Sequence, residues 1–426
     1  MSAVKRGILL VATGILGVLV LTGATPPPDD PTDATRQSEY WLDSTFVRDA
    51  WQTTQGQGQT IAIIDTGIGR NPELDSAVVG GTDESGVGSA DGRTPVGAVD
   101  ADHASWVASL LAARGDADGT GMIGVAPAAR LLSVSIGFGS ASRVPFAQQV
   151  ADGIRWAVDH GADIINLSFT TNSTEWDPSW DSAFLYAYQH DVVVVVAAGN
   201  RGAGTTQVGA PATIPGVLTV AGVTRTGAAS REASTQGITI GVAAPSEELL
   251  GISADGQTVA WEGTSGAAPI VAGIVALVRA AHPKLDANDV IEQVIKTARR
   301  APAQTHVPDA TYGYGIVDAA AAVSATGIPH VSENPMGSLQ DWIRLHRRAE
   351  IVPVPEPSQV HVTVPPLPPA RDVGDGGSVL LPTAETLRYG TLPLAGLTVP
   401  AILVAFGVTV AVRRIRSARH SRTPSS

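Results

Sequence analysis

Five consecutive valines, Val192 to Val196, run between His190-Asp191 and Ala197-Ala198-Gly199-Asn200. β-Branched side chains are stiff at χ1 and crowd a helix, so a run of them favours a strand. No polar residue alternates along this one, so neither face of it belongs in water. A parallel sheet covered on both faces accepts such a segment. Short stretches of the same kind recur at 60–64, 131–136, 163–168, 217–223 and 238–243. Between them, 103–113, 146–160 and 179–189 place apolar residues at helical spacing. This alternation predicts an α/β chain, with helices in layers on both sides of a mainly parallel central sheet. A length of 426 residues, 44% of them hydrophobic and 16% charged, allows a large core and excludes general disorder.

The net charge of −12 hides an asymmetry, because bases gather at both ends and leave the body strongly acidic. Such a body does not seek nucleic acid. The absence of cysteine excludes thiol catalysis, disulfides and thiolate metal sites. Lys5-Arg6, the apolar run 7–22 and the small residues Thr22-Gly23-Ala24 predict a signal peptide over 1–24. An uncleaved anchor is the alternative reading of that run. Residues 389–412 carry no charge and end at Arg413-Arg414-Ile415-Arg416. They predict a C-terminal transmembrane helix, with the basic tail 413–426 in the cytoplasm and the body outside. Pro393 and Pro400 lie within the span. Between the two membrane-directed segments, 25–59 form an N-terminal extension whose Tyr40, Trp41 and Trp51 pack on the body. A main domain covers 60–325 and a Pro-rich linker 326–388, in which 342–348 have the pattern of a short basic helix.

Chemistry concentrates at four places. In Glu262-Gly263-Thr264-Ser265-Gly266-Ala267-Ala268-Pro269, Ser265 stands among small residues at the mouth of an apolar helix. There its hydroxyl is open to a carbonyl, and the helix dipole favours the negative charge that develops on attack. A plain helix cap is the simpler reading of that serine. Pro269, near the helix start, is expected to cost little. A second place is Ile61 to Gly67, a strand ending in Asp65 on the rim where open α/β sheets bind ligands. A turn aspartate is the bland alternative. Asp65-Thr66-Gly67 also matches the aspartic-protease signature, but that chemistry needs a second such acid, and no second Asp-Thr-Gly occurs. The third is His103, which opens a helix whose buried stripe is Trp106, Val107, Leu110 and Leu111; Asp102 beside it points elsewhere. A surface histidine would look the same. Last, Ala197-Ala198-Gly199-Asn200 ends the valine strand in an amide that either donates to an oxyanion or sits in a left-handed turn.

From about Ile61 to Val323 these motifs resemble those of the subtilisin-like (subtilase) serine proteases, and Asp, His and Ser come in the subtilisin order. The resemblance implies a subtilisin-like three-layer fold. It also implies a catalytic triad of Asp65, His103 and Ser265, with Asn200 and the Ser265 N–H as the oxyanion hole. Asn166-Leu167-Ser168-Phe169-Thr170 is similar to the strand lining the family's substrate cleft. Ser168, Phe169, Thr170, Ala198 and Gly199 are therefore the expected substrate-binding residues. The chain departs from the family at His103-Ala104-Ser105, where His-Gly-Thr is usual, and at Thr170, where a glycine is usual. A β-branched Thr170 is expected to narrow the cleft, and Ala104 to tighten the approach to the base. No cofactor and no metal are expected, since nothing resembles a calcium loop.

A short N-terminal extension, a protease, a Pro-rich spacer and a C-terminal span resemble the layout of mycosins. These are membrane-anchored proteases of actinobacterial type VII secretion systems. Gly80-Gly81, the stretch 124–132 and Tyr312-Gly313-Tyr314-Gly315 look similar too, whereas the disulfides common in mycosins have no counterpart here. The implied protein is an endopeptidase on the outer side of the cell membrane. It would act on protein or peptide substrates and associate with a type VII secretion membrane complex. The alternatives are a mainly structural component of such a complex, or a degenerate protease used as a binding module.

Overall fold

A computed structural model describes residues 33–347, except 98–99, 117 and 140–141, together with 371–372, 407–408 and 410. Seven strands build the central sheet: β1 (Thr60–Asp65), β2 (Val78–Asp83), β3 (Arg130–Ser135), β4 (Ile164–Leu167), β5 (Val193–Ala197), β6 (Leu218–Val223) and β7 (Ile240–Pro245). Their spatial order is β2-β3-β1-β4-β5-β6-β7, and every pairing is parallel. The order reverses beside β1, so β1 and its neighbours open a crevice at their carboxyl ends.

The valine run shows why both faces must be covered. Val193 and Val195 enter one core with the helices α5 (His103–Ala112) and α8 (Thr264–Ala281), whereas Val194 and Val196 enter a second core with α6 (Phe146–Asp159) and α7 (Pro178–Gln189). Successive side chains of a strand point to opposite faces, so each valine in turn fills the other layer. Fully burying one such side chain stabilises the fold by about 1.5–3 kcal/mol.

Three strands within 60–325 were not anticipated from the sequence. Strand β2 lies at the sheet edge and is only half buried, and its Gly80-Gly81 pair erases any apolar pattern. The antiparallel hairpin β8 (Leu249–Ile252) and β9 (Thr258–Trp261) leads directly into α8.

Ahead of β1, three short helices, α1 (Ala34–Ser38), α2 (Tyr40–Ser44) and α3 (Val47–Ala50), are seated on the body. Trp41 and Leu42 are fully buried, the Tyr40 hydroxyl donates to the Glu247 carbonyl at 2.6 Å, and Trp51 Nε1 donates to the Val125 carbonyl at 2.9 Å. Asp33 and Glu39 carboxylates accept from the Gly121 and Ile123 N–H groups, and Arg36 Nε donates to the Gly121 carbonyl. The remaining helices are α4 (Pro72–Asp75), α9 (Ala287–Thr297), α10 (Ala319–Ser324) and α11 (Leu339–His346). Helix α11 falls within the stretch that the sequence assigns to the linker, yet it packs on α7. Leu339 is buried, the Trp176 and Trp342 rings lie 4.3 Å apart, and Arg347 Nε pairs with Asp181 at 2.8 Å.

The chain divides into two compact units, Met1–Arg371 and Asp372–Ser426. The expected signal peptide lies outside the described residues, as does the expected span apart from the helical positions 407–408 and 410. Among the described residues one helix is long and apolar enough to cross a membrane, and that is α8, 89% buried inside the fold.

Candidate active site

Asp65 ends β1 with its carboxylate fully buried, accepting from the Thr66 N–H at 2.7 Å. His103 Nδ1 lies 2.9 and 3.0 Å from its two oxygens. The chain must turn away at once, and Gly67 does so at φ +96°, where a Cβ would stand 2.9 Å from the Gly92 carbonyl oxygen and from Ser135 Cβ. Only glycine fits there. The Asp102 carboxylate turns away to accept from the Ala254 N–H at 3.2 Å, as its place in the sequence suggested. Burial raises its pKa, and it takes no part in orienting the imidazole. Ala104 and Ser105 are buried without disturbing this arrangement: the Ala104 N–H donates to Thr66 Oγ1 at 3.0 Å, and Ser105 Oγ accepts from the Gly69 N–H at 2.9 Å.

The His103 ring is enclosed. Trp261 and Trp106 meet it edge-on, with centroids 5.6 and 6.2 Å away. Their indole N–H groups are fixed in turn, on the Leu250 carbonyl and on Ser253 Oγ. His103 Nε2 is buried and has no hydrogen-bond partner among the described residues. In the tautomer whose Nδ1–H donates to Asp65, Nε2 carries the lone pair that a general base needs.

Ser265 is the second residue of α8, which starts from Gly263 at φ 143°. Its hydroxyl donates to the Ser168 carbonyl at 2.8 Å, not to His103. In return Ser168 Oγ donates to the Ser265 carbonyl at 2.9 Å, and Asn166 Nδ2 donates to Ser168 Oγ at 2.8 Å. Pro269 explains the second bond. In an α-helix the carbonyl of residue 265 would accept from the N–H of residue 269, and proline has none. Pro269 lies beyond the first turn, so it does remove a helix bond, and Ser168 replaces the missing donor.

Asn200 stands just past β5. Its Oδ1 accepts from the Thr264 N–H at 2.7 Å and from Thr264 Oγ1 at 2.9 Å, and Thr264 Oγ1 accepts from the Gly199 N–H at 2.9 Å. Two donors on one oxygen settle which end of the amide is which. The free Nδ2 is left as a donor beside the start of α8, where the dipole of an 18-residue helix adds to it.

The expected substrate-binding residues follow β4 and β5 as neighbours. Ser168, Phe169 and Thr170 continue β4, and Ala198 and Gly199 continue β5. Phe169 is buried in an aromatic triangle with Phe138 and Phe146, its centroid 5.7 and 5.5 Å from theirs. Thr170 is buried too, its hydroxyl donating to the Gly209 carbonyl at 2.8 Å.

The fold thus brings Asp65 to His103, Asn200 to Thr264, and Ser265 to Ser168. It leaves His103 and Ser265 without a mutual hydrogen bond. Sequence reasoning missed Thr264 as the anchor of Asn200, Trp261 as the cover of His103, and the reciprocal pairing of Ser168. The i, i+4 relation of Ser265 and Pro269 was the readable signal for the last of these. Away from this site, Asp286, Asp289 and His330 bring three donor atoms within 4.8 Å of one another, a grouping able to hold a metal ion. His330 Nδ1 already lies 3.0 Å from both Asp289 oxygens, which raises the imidazole pKa and accounts for the grouping as an ion pair.

The parallel seven-stranded sheet in this order is that of a subtilisin-like serine endopeptidase. The chain belongs to the subtilase family, whose family model matches residues 56–315. It is similar to mycosin-4 of Mycobacterium tuberculosis, at 34% identity over 66% of this chain and 68% of that one. Among solved structures it is similar to the MycP3 protease from the type VII (ESX-3) secretion system, with a TM-score of 0.58 and 32% identity over 70% of this chain and 90% of that one. A protease from Pseudoalteromonas arctica superimposes with a TM-score of 0.61 at 29% identity, over 70% of this chain and 99% of that one.

Proposed function

We propose that Asp65, His103 and Ser265 are the catalytic triad of a membrane-anchored endopeptidase facing away from the cytoplasm, with Asn200 completing its oxyanion hole. The observation that carries this reading is the buried Asp65–His103 contact with Nε2 left free. On substrate binding, rotation about χ1 takes the Ser265 hydroxyl from the Ser168 carbonyl to His103 Nε2. The imidazole removes the hydroxyl proton as Oγ attacks the scissile carbonyl, and Asp65 stabilises the imidazolium that forms. Asn200 Nδ2 and the Ser265 N–H receive the oxyanion, and the imidazolium then protonates the leaving amine. Water, deprotonated by the same nitrogen, releases the acyl group. Anchoring rests on residues 389–412, and the link to type VII secretion rests on the likeness to mycosins.

A fluorophosphonate probe tests the triad. It is expected to label the full chain in a membrane fraction, and Ser265→Ala is expected to abolish the label and lower turnover by about 10⁶. A label retained after His103→Ala would count against the triad. A chain truncated before residue 389 is expected to leave the membrane fraction. The parked Ser265 hydroxyl favours a second reading, in which the resting protein serves mainly as a structural part of a secretion complex. Secretion restored by Ser265→Ala in a deletion strain would favour that reading.

A further inference from the structure

If the scissile carbonyl oxygen sits at Asn200 Nδ2 and the Ser265 N–H, as proposed above, the side chain that precedes the scissile bond faces the two expected substrate-binding stretches, 168–170 and 198–199. Here the chain has filled the space itself. A Cβ built on Gly199 would stand 2.7 Å from Thr170 Cγ2 and 2.8 Å from Thr205 Cγ2, so two methyl groups lie directly over this glycine. Thr170 is 4% exposed and Thr205 1%. The Thr170 side chain does not hang free. Thr170 Oγ1 donates to the Gly209 carbonyl at 2.8 Å, and the Thr171 N–H donates to the Ala210 carbonyl at 2.7 Å. These bonds draw the continuation of β4 onto the segment 209–210 and close the far wall. The near wall is closed as well, because the Thr235 N–H and Oγ1 donate to the Gly199 and Ala198 carbonyls at 2.8 and 2.7 Å.

We infer that Thr170 is the specificity-determining residue of the acyl side: its methyl group plugs the recess, so the enzyme cleaves after glycine, alanine or serine and rejects phenylalanine, tyrosine and leucine. The inference rests on the catalytic roles proposed for Ser265 and Asn200. A recess shortened by one methyl discriminates against a larger side chain by about 10–200-fold.

The test measures kcat/KM of the full chain on peptide p-nitroanilides identical except for alanine or phenylalanine before the scissile bond. Wild type is expected to favour alanine by at least about tenfold. Thr170→Gly, which removes the plug, is expected to shift the ratio toward phenylalanine by about tenfold or more. Because Thr170→Gly also loses the bond to Gly209, two further variants separate volume from fold. Thr170→Ser keeps the hydroxyl and removes only the methyl, and is expected to shift the ratio in the same direction. Thr170→Val keeps the volume without the hydroxyl, and is expected to retain the alanine preference. Equal use of both peptides by wild type overturns the inference, as does a ratio unmoved in both Thr170→Gly and Thr170→Ser. A wild type that takes the fluorophosphonate label but cleaves neither peptide also overturns it. A wild type that takes no label overturns the catalytic roles, and this inference with them.

Discussion

Ser168 and Ser265 hold each other by reciprocal bonds, Ser168 Oγ to the Ser265 carbonyl at 2.9 Å and Ser265 Oγ to the Ser168 carbonyl at 2.8 Å. One bond repairs a helix and the other parks the hydroxyl proposed as the nucleophile. Ser168→Ala strips the buried Ser265 carbonyl of its donor and is expected to cost about 1–3 kcal/mol, read by denaturant unfolding. Adding Pro269→Ala restores an N–H at the helical position and is expected to recover much of that loss. A double variant no more stable than Ser168→Ala would refute this account of the proline.

Asn200 owes its orientation to Thr264, which leaves its Nδ2 beside the start of α8, where the proposed mechanism puts the oxyanion. Asn200→Ala is expected to lower kcat by about 10²–10³ with little change in KM, by analogy with the asparagine of subtilisin. Steady-state kinetics on one good peptide substrate checks it. An equal loss carried in KM would assign Asn200 to ground-state binding.

Asp65 bonds the Nδ1 side of His103 with both oxygens. Asp65→Asn keeps the shape but lets the imidazole adopt the wrong tautomer, and kcat is expected to fall by about 10⁴. The fluorophosphonate labelling rate should fall in parallel, while the unfolding midpoint stays near that of wild type.

Glu73 links stability to pH. Burial pushes its carboxyl from 4.5 up to about 7, against the pull of the Met122 N–H bond; Asp116 and Asp33 add to the rise and Arg36 opposes it. A raised folded-state pKa means that the folded protein holds the proton more tightly than the unfolded chain. The stability from this group is therefore full below pH 4.5 and is lost as pH rises through about 7. Glu73→Gln, with an amide oxygen in place of the carboxylate, is expected to flatten the fall of Tm over that window and to leave the variant more stable than wild type at pH 8. Parallel Tm curves for the two proteins would exclude Glu73 as the source.

The strands were legible where both faces are buried, because Val192 to Val196 admit no other reading. The edge strand β2 was not, since Gly80 and Gly81 have no side chains to alternate and water reaches the strand. Asp65, His103, Asn200 and Ser265 were legible as motifs, each at the end of a strand or the start of a helix. What joins them was not. Thr264 under Asn200, Trp261 against His103 and Ser168 on Ser265 are contacts between distant segments, and no local pattern encodes them. The short basic helix at 342–348 was legible as a pattern, but its seat was not, because Trp342 and Arg347 pack on residues far earlier in the chain.

The helices ahead of β1 are a seam and not a detachable leader. The Ala319 N–H donates to the Thr45 carbonyl at 2.8 Å and Arg299 to the Ser44 carbonyl at 2.7 Å, so the beginning of the body is sewn to its closing turns. Maturation that trimmed the chain past Thr45 would remove Trp41 and Leu42, lay open the core they cover, and break the bonds to Arg299 and Ala319 together. A minimal catalytic module of this protein must therefore begin well upstream of its first strand.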